Sequence, residues 1–257
     1  MIARVVRFAV DWVRALLSVI VLLTVGLTSA RLRGYLRRIV QEVGVLPTRP
    51  SPIRVRSVDS QGALDAPLIL PDLVAADGNV SLLELSALAR IVRARAPRVL
   101  WEIGTFDGRT TRVLAANAPP GAEIHTLDLP AHTTAAHTLS GAERVFVEKD
   151  APGARYRGTP EEQRITGHLS DSATFDFAPW TGRTEFVFVD GSHAEAYVRN
   201  DTARAFSLTQ GRSAVIVWHD YEAWPDVTRV LDELAQGEPG LFRIEGTSLV
   251  VLERSPR

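Results

Sequence analysis

Asp190 closes the apolar stretch Glu185–Val189, with Gly191 behind it, and His219-Asp220 closes the next one, Ser213–Trp218. If both stretches are neighbouring parallel strands, these side chains share one rim. Two carboxylates and an imidazole there form a ligand set for a divalent cation. Oxygen-rich donors favour Mg²⁺, and the imidazole also admits Mn²⁺. Such an ion would bind a substrate hydroxyl and lower its pKa. The alternative leaves His219-Asp220 as a cap on the turn before Pro225 and Asp190 as a cofactor contact. His193, in Asp190-Gly191-Ser192-His193, is a candidate general base, because free imidazole titrates near pH ~6.5. Its alternative is a capping or solvent-facing residue at the first turn of a helix.

A second chemical signal is the loop Glu102-Ile103-Gly104-Thr105-Phe106-Asp107-Gly108. Gly104 permits a sharp turn after a strand and leaves room for a ligand. A helix starting across Gly108–Thr110 would offer free N–H groups and its positive dipole end. Asp128 follows about twenty residues after Gly108, at the end of the next strand, where a carboxylate can accept both ribose hydroxyls of an adenosine. That spacing also serves NAD. The G-x-G-x-x-G of a pyrophosphate site is absent, however, because Phe106 takes the middle glycine's place. Glu102 and Asp107 add negative charge, which suits a sulfonium or an ammonium better than phosphates.

Strands and helices that alternate must position these groups. Ser81 is a helix N-cap and Glu84 completes a capping box. Leu82, Leu83, Leu85, Leu88 and Ile91 give that helix an apolar face. Strands are expected at Arg98–Ile103, Glu123–Leu127, Arg164–Leu169, Glu185–Val189 and Ser213–Trp218. Helices are expected at Arg109–Asn117, His193–Leu208 and Asp226–Ala235. Leu241–Glu245 and Ser248–Glu253 flank Gly246-Thr247 as a hairpin. The pattern implies a Rossmann-like α/β fold: a doubly wound, mostly parallel seven-stranded sheet with a C-terminal antiparallel hairpin, preceded by an N-terminal apolar helix. Residues 1–43 would carry that helix, 44–80 a proline-containing linker that partly wraps the domain, and 81–257 the domain itself.

The composition narrows the function. The chain has 257 residues, 46% hydrophobic, with a net charge of −1 and no cysteine. That is enough apolar content for a core. The charge balance argues against a nucleic-acid partner, and the missing cysteine excludes disulfides and thiolate metal sites. Near the N-terminus, Ala15–Ala30 (ALLSVIVLLTVGLTSA) is uncharged. Arg4, Arg7 and Arg14 precede it; Arg31, Arg33, Arg37 and Arg38 follow. A bilayer span needs roughly 20 apolar residues, so the run is slightly short. Membrane contact through this helix is expected, with the main domain anchored at the cytoplasmic face. The alternatives are a cleavable signal, with Thr28 and Ala30 as small residues, or a helix packed on the domain or in a homo-oligomer.

Five motifs occur in matching order: EIGTFDGRTT (Glu102–Thr111), TLDLP (Thr126–Pro130), LSDSATFDF (Leu169–Phe177), FVFVDGSH (Phe186–His193) and VIVWHDY (Val215–Tyr221). Tyr156-Arg157-Gly158-Thr159-Pro160 adds a lead-in to the third strand. Together they resemble a bacterial family of class I S-adenosylmethionine-dependent methyltransferases, similar to those that act on sugars and other natural-product hydroxyls. The resemblance spans about Pro97 to Glu253. It implies methyl transfer to a small-molecule acceptor. It puts Glu102, Gly104 and Asp107 at the methionine end, with Thr105, Phe106, Gly108 and Thr110 in the same loop. Asp128 and Leu129 would hold the ribose and flank the adenine, Asp171 and Ser172 would reach the adenine edge, and Asp190 would border the cofactor. Ser170 departs from the glycine the family carries there. Asp171-Ser172 also reads as an N-cap pair. His132 and His137 read as surface residues, and Trp180, Trp218 and Trp224 as an apolar wall or ordinary packing. An NAD-dependent oxidoreductase and a non-catalytic membrane-tethered binding domain are the competing functions.

Overall fold

Val99–Ile103 (β2) is buried along almost its whole length, the pattern of a strand covered on both faces of a parallel sheet. In the computed structural model, which describes residues 2–24, 28, 51–61, 67–76, 78–130, 135 and 152–256, β2 lies between β3 (Glu123–Asp128) and β5 (Phe186–Val189), parallel to both. β4 (Ile165–Leu169) extends the sheet beyond β3, and β6 (Ala214–Trp218) extends it beyond β5, again in parallel. β8 (Val250–Arg254) runs antiparallel to β6 and to β7 (Phe242–Ile244). The order among the described residues is β1-β7-β8-β6-β5-β2-β3-β4. This is the expected mostly parallel sheet with its antiparallel hairpin, and it has eight strands rather than seven. The extra strand, β1 (Arg54–Arg56), lies parallel to β7. It arises from the proline-containing stretch, and its three residues are all exposed, so no apolar alternation marks it.

Among the described residues, two helices cover each face. α2 (Leu82–Arg95) starts at Ser81, whose hydroxyl accepts from the Glu84 N–H while Glu84 accepts from the Ser81 N–H: the capping box is complete. α2 and α3 (Arg109–Asn117) pack Leu88, Ile91, Val113 and Leu114 against Leu100, Phe186 and Phe188. On the other face, α4 (Glu195–Leu208) and α5 (Pro225–Gly237) bring Val198, Leu208, Val227 and Leu231 against Trp101, Val187 and Ile216. The chain leaves β2 towards β3 on one side and returns through β5 on the other. A crevice therefore opens at the carboxyl ends of β2 and β5, where open α/β sheets bind ligands.

The chain divides into two units, Met1–Ser51 and Pro52–Arg257. The first contains α1 (Ile2–Leu23), whose Trp12, Leu16, Leu17 and Ile20 are exposed. Among the described residues no helix is long and apolar enough to cross a membrane. The arginine-rich sequence after Ala30, the tail of the Ala15–Ala30 run apart from Thr28, His132 and His137 lie outside the described residues. In the second unit, part of the proline-containing stretch lies along the domain. The Asn117 side chain exchanges two hydrogen bonds with the backbone of Ile69, at 3.0 and 2.7 Å, and Arg93 donates to the Pro67 carbonyl.

Candidate active site

Gly104 turns the chain out of β2 at φ +101°, and a Cβ there would stand 1.9 Å from the backbone oxygen of Asp190. The ends of β2 and β5 therefore meet only because the side chain is missing. Phe106 also takes a left-handed backbone, φ +49°. Its N–H donates to Asp128 Oδ2 at 2.8 Å, while Asp128 Oδ1 accepts from the Leu129 N–H at 2.9 Å. The carboxylate that closes β3 is thus fixed beside the glycine loop. Gly108, at φ +86°, caps α3 without a side-chain hydrogen bond, and Thr110 lies buried in its first turn.

Glu102 sits beneath this loop rather than in it. It is 1% exposed. Its Oε2 accepts from Thr126 at 2.6 Å and from Thr111, and the Thr105 and Thr126 hydroxyls are 2.6 Å apart. Oε1 is buried with no hydrogen-bond partner. Burial pushes the Glu102 carboxyl up to about 8, so it is mostly neutral at pH 7. Asp107 is likewise engaged by protein donors: Arg155 Nε at 2.9 Å, Asn79 Nδ2 at 3.0 Å and the Arg109 N–H at 3.0 Å.

On the far side of β3, Asp171 and Ser172 are buried. Asp171 Oδ1 accepts from the Ala173 N–H at 2.8 Å, as in an N-cap turn, and Oδ2 accepts from the Tyr197 hydroxyl at 2.7 Å. Asp201 is buried next to them, its carboxyl pushed up to about 6 by burial against its bonds from Ser172 and Asn200.

At the ends of β5 and β6, three side chains converge: Asp190, His193 and Asp220 bring one ligand atom each within 4.8 Å of one another. His193 Nε2 is 2.7 Å from Asp220 Oδ2, and its ring stacks on Trp224 with centroids 4.3 Å apart and planes 3° from parallel. His219 is placed differently from the expectation. Its Nδ1 lies 2.8 Å from Asp190 Oδ1 and 3.4 Å from Asp220 Oδ2, and its Nε2 faces Glu84 Oε2 at 3.4 Å. Burial disfavours the charged ring, yet the three carboxylates together hold its pKa well above the ordinary imidazole value. With both ring nitrogens facing carboxylates, His219 is not among the three side chains whose ligand atoms converge. It serves as the counter-charge that lets two carboxylates stand side by side. Burial and the facing Asp220 raise the Asp190 carboxyl; burial would raise Asp220 too, but His219 and His193 hold it low.

Glu84 was legible only as a helix cap. In the structure its Oε1 also accepts from the Ser248 N–H at 2.8 Å and the Ser248 hydroxyl at 2.7 Å. Burial alone would raise this carboxyl, but His219 and these donors keep it well below the usual carboxylate range. Tyr156 was legible only as part of the lead-in to the third strand. Its ring fills the space left by Gly108, Gly153 and Gly167, where added Cβ atoms would come within 2.5–2.7 Å of it. Of the three tryptophans, Trp224 stacks on His193. Trp218 is core, donating to Thr202 at 3.0 Å. Trp180 joins an aromatic cluster with Trp101 and His125.

Residues 101–221 match the family model of a methyltransferase domain. No curated protein matches the chain significantly. Among solved structures, a candidate O-methyltransferase from Klebsiella pneumoniae is 17% identical, with a TM-score of 0.50, covering 70% of this chain and 84% of its own. TomG, an O-methyltransferase of tomaymycin synthesis from Streptomyces achromogenes solved with S-adenosylmethionine, is 22% identical over 72% of this chain and 83% of its own, with a TM-score of 0.49. Residues 101–221 thus match a methyltransferase domain, and the mostly parallel sheet with its C-terminal antiparallel hairpin agrees with that fold. That match sets aside the NAD-dependent alternative.

Proposed function

We propose that the enzyme methylates a hydroxyl of a small molecule, a sugar or another natural product, at the rim formed by Asp190, His193 and Asp220. The convergence of these three side chains at the ends of β5 and β6 carries the reading. Two carboxylates and a neutral imidazole suit Mg²⁺ or Mn²⁺, and His193 takes the place that the sequence suggested for His219. A divalent ion held there would lower the pKa of the acceptor hydroxyl. S-adenosylmethionine supplies a methyl group on a sulfonium. Asp128 would hold its ribose, the Gly104–Gly108 loop its methionine end, and Asp171-Ser172 its adenine edge. The acceptor oxygen bonds the methyl carbon as the carbon–sulfur bond breaks, and the hydroxyl proton leaves at the rim. The His193–Asp220 contact of 2.7 Å supports a second, metal-free reading, in which this pair accepts the proton. Turnover of an acceptor panel with chelator and with added Mg²⁺ or Mn²⁺ separates the two. Full activity in excess chelator removes the cation; loss restored by metal supports it. No methylated product with any hydroxyl acceptor, but product with amines, would refute the O-methyl assignment.

We further propose that α1 contacts a membrane by lying on its surface, with the catalytic domain on the cytoplasmic side where the methyl donor is made. Exposed Trp12, Leu16, Leu17 and Ile20 on a helix beside Arg14 support this, as interfacial helices combine an apolar surface with arginines. Flotation of the full chain with anionic phosphatidylglycerol vesicles tests it. A soluble homo-oligomer that ignores vesicles would assign the apolar surface to a second copy instead.

A further inference from the structure

We propose that Arg155 is a positioning residue for the cofactor loop: it holds Phe106-Asp107 by main chain and side chain together and ties the loop to a strap that includes residues 72–76 and 78–79. This rests on the reading of the Gly104–Gly108 loop as the site of S-adenosylmethionine.

The loop needs an external hold. Phe106 is a bulky residue with a positive φ, a conformation that persists only when its surroundings over-determine it. The segment 153–155 provides that hold. The Gly153 N–H donates to the Phe106 carbonyl at 2.9 Å, and the Arg155 N–H to the Asp107 carbonyl at 2.8 Å. The Arg155 guanidinium then meets three acceptors: Asp107 Oδ2 through Nε at 2.9 Å, Asp72 Oδ2 through Nη1 at 2.8 Å and the Val74 carbonyl through Nη1 at 2.5 Å. Asp107 Oδ2 also takes Asn79 Nδ2 at 3.0 Å, so both ends of the strap reach this one carboxylate, directly or through Arg155. Arg109 grips the strap from the other side, through the carbonyls of Asp72 and Val80 at 3.0 and 2.8 Å.

Apolar burial does not hold the strap tip: Leu73 and Val74 are 62% and 74% exposed. The polar clamp is therefore what keeps the strap on the loop. An acid at the methionine end would normally be assigned to the substrate ammonium. Here Asp107 is spent on the clamp, and it shapes the wall of the site instead of contacting the ligand. A planar guanidinium holds its acceptors from donors in one fixed geometry; a lysine ammonium also has three N–H groups, but on a flexible stem that does not fix them.

The test is calorimetric titration of S-adenosylhomocysteine into the wild-type chain and into Arg155→Lys, Arg155→Ala and Asp72→Asn, each checked for native circular dichroism. Wild type should bind. Arg155→Ala should weaken binding by about tenfold, and Arg155→Lys should recover little of it, because the hold depends on the fork rather than the charge. Asp72→Asn should weaken binding less than Arg155→Ala, and should add nothing in the double variant. In turnover, KM for the methyl donor should rise while kcat and KM for the acceptor stay within about twofold, a split that a general loss of folded protein would not produce. Folded variants that bind like wild type, or a lysine variant that fully rescues, would overturn the proposal. A wild-type chain that does not bind S-adenosylhomocysteine would overturn the cofactor reading and this proposal with it.

Discussion

Replacing Gly104 by alanine tests the juxtaposition on which the whole site depends. Two costs apply. A non-glycine residue with φ near +100° loses about 1–2 kcal/mol to backbone sterics. The new Cβ would also stand 1.9 Å from Asp190 O, 2.5 Å from Asp190 C and 2.9 Å from Gly191 N. All three are backbone atoms at the end of β5, so no side chain can swing aside. Carbon and its neighbours need about 3.5 Å, so the ends of β2 and β5 must part by about 1.6 Å. Overpacking of this kind adds about 1–3 kcal/mol or more. The expected total is about 2–5 kcal/mol, or on the order of 10 °C in melting temperature for a domain of this size. Gly121 is the control: its φ is +77°, and an added Cβ would meet nothing within 4 Å. Gly121→Ala should therefore cost only the backbone share, about 1–2 kcal/mol. Urea unfolding of both variants reads the difference directly. Because Asp190 moves with its backbone, Gly104→Ala should also lower turnover about a hundredfold in the protein that remains folded. Equal destabilisation by the two substitutions would refute the close approach of the loop to Asp190.

Asp128→Ala should weaken S-adenosylhomocysteine binding by about 1.5–3 kcal/mol in calorimetry, the value of a lost charge-assisted hydrogen bond; unchanged affinity would remove its ribose role. Asp220→Asn should abolish turnover yet leave cofactor affinity within about twofold, because its neighbours are His193 and His219 rather than the glycine loop. Glu84→Gln should destabilise the fold by about 1–3 kcal/mol, since it leaves the buried His219 cation one carboxylate short; denaturant unfolding measures it. Acid should act through the His125–His168 pair. Burial, and the facing His168, hold His125 below the ordinary imidazole pKa, and burial does the same for His168. A pair with folded values below the unfolded ~6.5 gives stability that is complete above pH ~6.5 and is lost as the pH falls through the lowered folded values. The pair's share is the wild-type melting temperature minus that of His168→Gln, which cancels the opposite slope given by the raised Glu102 carboxyl; this difference should be flat from pH 8 to about 7 and decline below about 6.5. An equal decline in that variant would place the titration elsewhere.

The fold was readable wherever local pattern and tertiary demand agreed. Glu185–Val189 and Ser213–Trp218 are apolar runs bounded by turn residues, and β5 and β6 fall within them. Ser81 and Glu84 announce α2 because a capping box is local chemistry. The loop around Gly104 was visible because a positive φ selects glycine. By sequence, His219 rather than His193 stands with Asp190 and Asp220 as the imidazole of the rim, because sequence cannot show which way each ring faces: His219 turns Nε2 to Glu84 of a distant helix, and His193 stacks on Trp224. Nor could it show that Asp107 is occupied, since its partners Asn79 and Arg155 lie 28 and 48 residues away along the chain. β1 was hidden for a different reason: an exposed Arg-Val-Arg edge has no burial to periodise.

Ser248 ties the rim to the cap of α2 across 164 residues, donating to Glu84 while its hydroxyl accepts the Asp220 N–H at 3.2 Å. Ribosomes deliver the chain from its N-terminus, and long-range closures form after local ones. A nascent chain ending at Thr247 would already contain every acid and imidazole of the rim. It would lack the hydroxyl that joins the turn carrying Asp220 to the carboxylate facing His219. The arrangement of the rim therefore arrives late in synthesis, with the hairpin, and termination between Asp220 and Ser248 yields a polypeptide that has the rim residues but not their arrangement.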